Sequence, residues 1–209
     1  MVKCLHGVLY LVASGGFIQG YTPETLRALC LIAKDHAVNL IQIEANFGDG
    51  MFTALLKPVS LDIYPVTIEE VKHSVQKEKR ILDTLEPVMN QHRLVVASDV
   101  IKHDYESTQH LPQEEALRYQ LMYQLTRITK DRGALVHDDR LDALAMAVSY
   151  WVEAMASSTD QAVNEHKSKL LDAELARFME HALGHTQPKQ GWIAPFSTRT
   201  RESQTRYRR

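Results

Sequence analysis

Cysteine is scarce in this chain: Cys4 and Cys30 are the only two in 209 residues. Two thiols make no disulfide framework, so a reducing cytoplasm is the expected setting. No Cys/His spacing of the kind that builds a zinc site occurs. No apolar run approaches the roughly 20 residues that a membrane helix needs, and no membrane partner is expected. The GxxxxGK[ST] phosphate loop is absent, so the chain is not expected to bind ATP in that way. No internal repeat is visible. A large excess of one charge is missing as well: the formal net charge is -2. That excludes a bulk polycation coating nucleic acid and leaves room for a local basic groove beside an acidic site.

What is present is ordinary for a globular protein, with 44% hydrophobic and 24% charged residues. The length suits one domain with an appendage, here divided as residues 1–156 and 157–209. The start, MVKCLHGVLYLVASGG, has a signal-peptide look, but His6-Gly7 interrupts the apolar run as a turn does. Two short strands are therefore expected, Val2 to Leu5 and Val8 to Ala13. Thr22-Pro23-Glu24 opens a helix, with Thr22 as N-cap and Leu26, Leu29, Ala33 and Ala37 on its apolar face. Residues 39–44 read as an internal strand, followed by a loop of Asn46, Gly48, Asp49 and Gly50 and a helix from Met51. Lys79 to His92 reads as a helix disturbed at Pro87. Arg93 to Ala97 reads as a strand and Ser98 to His110 as a polar connection. Pro112 to Ile128 reads as one helix, His137 to Ala156 as the clearest helix, and Gln161 to Leu183 as another after a break at Ser157-Ser158-Thr159. Strands alternating with helices predict a mixed α/β sheet flanked by helices on both faces.

The segment HDDRLDALAMA carries the strongest chemical signal. Asp139 and Asp142 are three residues apart and share a helix face, with Asp138 adjacent at the N-cap. Acids at a helix start also satisfy free N–H groups and the helix dipole, which accounts for Asp138 alone. Asp142 lies a full turn inside, before a small apolar face of Ala143, Ala145 and Ala147. Neighbouring carboxylates repel unless a cation joins them. Glu44 ends an apolar strand, the edge where α/β folds place functional groups. Scattered oxygen ligands suit Mg²⁺ or Mn²⁺. His137 reads as a metal ligand, a group beside one, a cap or a surface residue. Lys77, Lys79, Arg80 and Arg93 are candidates for phosphate contacts, although a solvated charged helix face explains them as well. The last eleven residues carry five arginines against one acid and read as an interaction tail.

IEANFGDGMF, HDDRLDALAMAV and KRILDTLEPVMNQHRLVV, in this order along the chain apart from the last lying between the first two, resemble the C-terminal nuclease domain of terminase large subunits, those of short-tailed phages above all. The resemblance spans most of residues 2–156. It implies an RNase H-like fold and a metal-dependent endonuclease that cuts concatemeric double-stranded DNA during packaging in the host bacterial cytoplasm. It also implies Mg²⁺ or Mn²⁺ at a two-metal site, with portal protein and small terminase subunit as partners. Glu44 matches the family's second acidic motif, Asp139 the principal acid of the third, and Asp142 its neighbour one turn on, with Asp138 as a further metal ligand. The family's first acidic motif, an aspartate on the central first strand, has no match, since the first aspartate here is Asp35. The expectation is a domain lacking that first central strand and the N-terminal ATPase region, with weak or no cleavage by itself. A docking module without nuclease activity and another RNase H-like nuclease, such as a junction resolvase, are the alternatives.

Overall fold

The computed structural model describes residues 1–45 and 50–184, with side chains through 180. The chain divides into two compact units, Met1–Ser158 and Thr159–Arg209. The first unit opens with a hairpin of β1 (Val2–Leu5) and β2 (Val8–Leu11). His6 and Gly7 both take positive φ, 50° and 78°, as a two-residue turn matched to strand twist requires. Helix α1 (Pro23–Asp35) follows, capped by the Thr22 hydroxyl, which accepts from the Thr25 N–H. Then come β3 (Leu40–Glu44), α2 (Met51–Ile63) and β4 (Thr67–Val71). Next are α3 (Lys77–Asn90), β5 (Leu94–Val96) and α4 (Ser98–Glu106), and finally α5 (Gln113–Tyr119), α6 (Leu121–Arg127) and α7 (Asp139–Gly184).

The strands form two sheets. One has the order β1-β2-β5, with β1 antiparallel and β5 parallel to β2; the other is the parallel pair β3-β4. The α/β class with a mixed sheet is thus present. Among the described residues, the expected internal strand at residues 39–44 is instead paired on one side, to β4 alone. Two apolar cores match the two sheets. Leu9 and Leu11 of β2 pack with Ile81, Leu85 and Val88 of α3 and with Leu141, Leu144, Ala145 and Val148 of α7. Leu26 and Cys30 of α1 pack with Leu56 of α2 over Ile41, Ile43 and Ile68. Each fully buried leucine contributes about 1.5–3 kcal/mol, so these faces hold helix to sheet.

Four local expectations are corrected. Ala37 lies beyond α1 at φ 50° and is exposed, while Thr25 and Cys30 take places on the buried face. The polar stretch after β5 forms helix α4, and the expected single helix from Pro112 is two, broken at extended Gln120 (ψ 132°). The cause lies in α4: the buried Asp104 carboxylate accepts the Leu121 and Met122 N–H groups at 2.9 and 3.0 Å and so caps α6 from outside. Gln120 in turn donates to the Thr108 hydroxyl at 2.9 Å. Helix α7 starts at Asp139 and has no break at Ser157-Ser158-Thr159. In the second unit, the described side chains of this helix are exposed, Leu170, Leu171, Leu175 and Phe178 among them. Among the described residues no helix is long and apolar enough to cross a membrane. The loop residues Asn46, Gly48 and Asp49 and the arginine-rich end lie outside the described residues.

Candidate functional site

A buried polar frame sets the start of α7. Arg140 donates to Asp104 at 2.6 Å and to the Ser107 hydroxyl at 3.0 Å. The Gln124 side-chain oxygen accepts the Leu141 N–H at 3.0 Å, which satisfies a first-turn amide that the helix itself leaves unpaired. With Arg140 and Leu141 held this way, the flanking Asp138 and Asp142 are presented toward α3. The Asp142 N–H donates to the Asp138 carbonyl at 2.8 Å, which places Asp138 at the N-cap.

The acids meet two cations of α3. Arg80 Nη2 donates to Asp142 Oδ1 at 2.6 Å, and Lys77 Nζ lies 3.2 Å from Asp142 Oδ2 and 2.7 Å from Asp138 Oδ1. Asp142 is only 4% exposed, so its charge depends on these partners. Asp139 is exposed. Burial works against the Lys77 ammonium, but the Asp138 hydrogen bond and the Asp142 and Asp138 charges outweigh it and raise its pKa. A cavity of about 770 Å³ brings the rest together: Glu44, Lys77, Asp139 and Asp142 all border it. Carboxylates from two distant stretches, Glu44 on one side and Asp139 and Asp142 on the other, thus border one space.

Sequence reasoning passed over His73, which follows β4. Its Nε2 is buried and has no hydrogen-bond partner among the described residues. Burial and the Arg80 charge lower its pKa, against the pull of Asp142, Glu44 and Glu153. Its electrostatic neighbours are those of the acidic site, and only the fold reveals this, because no helical or strand spacing links position 73 to 142. His137, read as a metal ligand, a group beside one, a cap or a surface residue, stacks on Tyr119 with ring centroids 4.0 Å apart.

The four basic candidates separate. Lys77 and Arg80 face the acids. Arg93 braces the hairpin by donating to the Gly7 carbonyl at 2.8 Å and to Met155 Sδ at 3.0 Å. Lys79 is exposed. The acids do not, as arranged, fit a Mg²⁺ or Mn²⁺ pair: both Asp142 oxygens and Asp138 Oδ1 are held by Lys77 and Arg80. Among the described residues no three His, Cys, Asp or Glu side chains are grouped closely enough to hold one metal ion.

A family model described as the bacteriophage T7 terminase, ribonuclease H-like domain, matches residues 1–94, which include the hairpin, Glu44, His73, Lys77 and Arg80. The terminase large subunit of Enterobacteria phage T3 is 39% identical over 179 residues, 86% of this chain. The chain spans 30% of that relative's length. The matched stretch ends at Leu94, where β5 begins, so the family model takes in both strand pairs and the α3 cations, while the relative extends the likeness over most of the chain. Residues 1–94 thus carry a terminase ribonuclease H-like domain, and most of the chain is similar to a phage terminase large subunit.

Proposed function

We propose that this domain is the endonuclease of a phage DNA-packaging terminase, cutting concatemeric double-stranded DNA in the host bacterial cytoplasm with Mg²⁺ or Mn²⁺. In this reading it works beside an ATPase region, a portal protein and a small terminase subunit. One observation carries the reading: Glu44, Asp139 and Asp142, from a strand end and a helix start, border one cavity. Exposed Asp139 is the acid open to substrate, and Lys79 is the exposed candidate for a phosphate. Lys77 and Arg80 fix the Asp142 carboxylate by ion pairs, and a divalent ion would have to displace them from its oxygens.

Nicking of supercoiled plasmid by the full chain with Mn²⁺ tests the reading. Metal-dependent nicking that Asp139→Ala and Glu44→Ala each abolish supports it. Nicking that survives both substitutions overturns the assignment. The pairing of Asp142 with Lys77 and Arg80 favours a second reading, a packaging module that docks without cutting. Absence of both nicking and Mn²⁺ binding by calorimetry selects that reading. Cleavage of four-way junctions with linear DNA left intact selects a junction resolvase.

A further inference from the structure

The cations near the acidic site divide by direction. Lys77 and Arg80 turn onto Asp138 and Asp142, whereas Lys79, between them on α3, is exposed. A second pair of exposed cations, Lys130 and Arg132, stands on the loop of residues 129–133 that links α6 to α7. This loop is tied to the start of α3. The Gln76 side-chain amide donates to the Lys130 carbonyl at 3.3 Å, and the Glu78 carboxylate accepts the Gly133 N–H at 2.7 Å. Gly133 takes φ 71°, a left-handed conformation that lets the chain turn its amide onto Glu78. The Gly133 hydrogen bond first, and the Arg132 charge among smaller causes, lowers the Glu78 pKa. Within the loop Asp131 is engaged: the Thr129 hydroxyl donates to its carboxylate at 3.2 Å, and its own N–H donates to that hydroxyl at 3.4 Å. Lys79, Lys130 and Arg132 make no ion pair among the described residues.

We infer that this pinned loop, together with Lys79, is the track along which the sugar–phosphate backbone of duplex DNA runs up to Asp139, with Lys130 and Arg132 each contacting a phosphate. The inference rests on the nuclease reading and names DNA contacts for it. The placement follows from the hydrogen bonds. Lys77 binds Asp138, and the next residue, Glu78, holds Gly133, so the loop lies beside the head of α7, where Asp139 is exposed. The acids there repel an approaching polyanion, and Lys77 and Arg80 are already engaged with two of them. A phosphodiester reaches such an edge when unpaired cations beside it offset the repulsion, and Lys79, Lys130 and Arg132 are placed to do so. The anchoring favours this role over that of a solvated charged turn. A loop fixed before DNA arrives removes its own ordering cost from the binding equilibrium. Long side chains at an exposed turn suit phosphates, which repeat whatever the bases, so the surface is indifferent to sequence.

The test measures binding of the full chain to two short fluorescent duplexes of unrelated sequence, in EDTA and over a range of salt, so that no cleavage enters. Lys130→Gln and Arg132→Gln are each expected to weaken binding about fivefold to tenfold near 0.1 M salt, equally for both duplexes, and to reduce the steepness of log K against log salt by about 0.9. Lys57→Gln, at an exposed lysine of α2, is expected to leave both quantities unchanged. Glu78 separates anchoring from charge. Glu78→Ala removes a negative charge and is nevertheless expected to weaken binding, because the loop loses its anchor. Glu78→Gln removes the same charge, keeps an acceptor for the Gly133 amide, and is expected to bind more tightly than Glu78→Ala. Duplex binding that Lys130→Gln and Arg132→Gln leave unchanged overturns the inference, assigns the surface to an acidic protein partner, and leaves the nuclease reading untouched. Weakening by Lys57→Gln as large as that by Arg132→Gln also overturns it, since net charge alone then acts, and so does equal binding by the two Glu78 variants. Absence of duplex binding by the unsubstituted chain overturns both the inference and the nuclease reading.

Discussion

Replacing Arg80 with methionine strands Asp142. The Asp142 side chain is 6% exposed and that of Arg80 13%, so the pair is withdrawn from water and solvent compensates little when it is broken. Removing one member of a buried pair costs about 3–5 kcal/mol, because the other charge stays buried and unpaired. Lys77 remains 3.2 Å from the second Asp142 oxygen and returns part of this. A loss of about 2–3 kcal/mol is expected, which for a unit of this size is roughly 5–10 °C in Tm. Urea unfolding at pH 7 and calorimetry measure it. Adding Asp142→Leu to Arg80→Met removes the orphaned charge and is expected to recover at least about 1.5 kcal/mol, a coupling read by a double-mutant cycle. If Arg80→Met costs under about 0.5 kcal/mol, or the two changes simply add, then the pair does not hold α3 to the start of α7 and the electrostatic account of the site is wrong.

Asp104→Ala uncaps α6 and orphans Arg140; a loss of about 3–5 kcal/mol is expected, with faster exchange at the Leu121 and Met122 amides, and unchanged exchange there contradicts the capping role. His73 has a folded pKa below its ordinary 6.5, so the unfolded chain takes up the proton first. Stability from this group is present above pH 6.5 and declines as pH falls through 6.5 toward the folded value; urea midpoints between pH 5 and 7.5 are expected to flatten in His73→Gln, and an identical slope refutes the shift. Gly50 stands at φ +83°, and a Cβ there meets Glu70 Oε1 at 3.3 Å; Gly50→Ala is expected to cost about 1–2 kcal/mol in urea unfolding, and a neutral result shows that the α2 N-terminus relaxes.

Much of the outline was legible from local pattern. The His6-Gly7 turn between two apolar runs, Thr22-Pro23-Glu24 at a helix start and the acids at the head of α7 each rest on backbone preferences acting within a few residues. For the same reason Asp138 was readable as an N-cap and Asp139 and Asp142 as neighbours on one face. Tertiary structure decided whatever depends on groups distant in the chain. Residues 112–128 carry helical pattern throughout, yet Asp104 in another helix supplies the cap that breaks them at Gln120. Lys77 and Arg80 read as a solvated charged face, and only the packing of α3 against α7 turned them onto Asp138 and Asp142. The apolar run at residues 40–44 predicted a strand with two neighbours. Apolarity reports burial and does not report which edge is paired, so it was the fold that left one side of β3 facing a cavity and β1 across it.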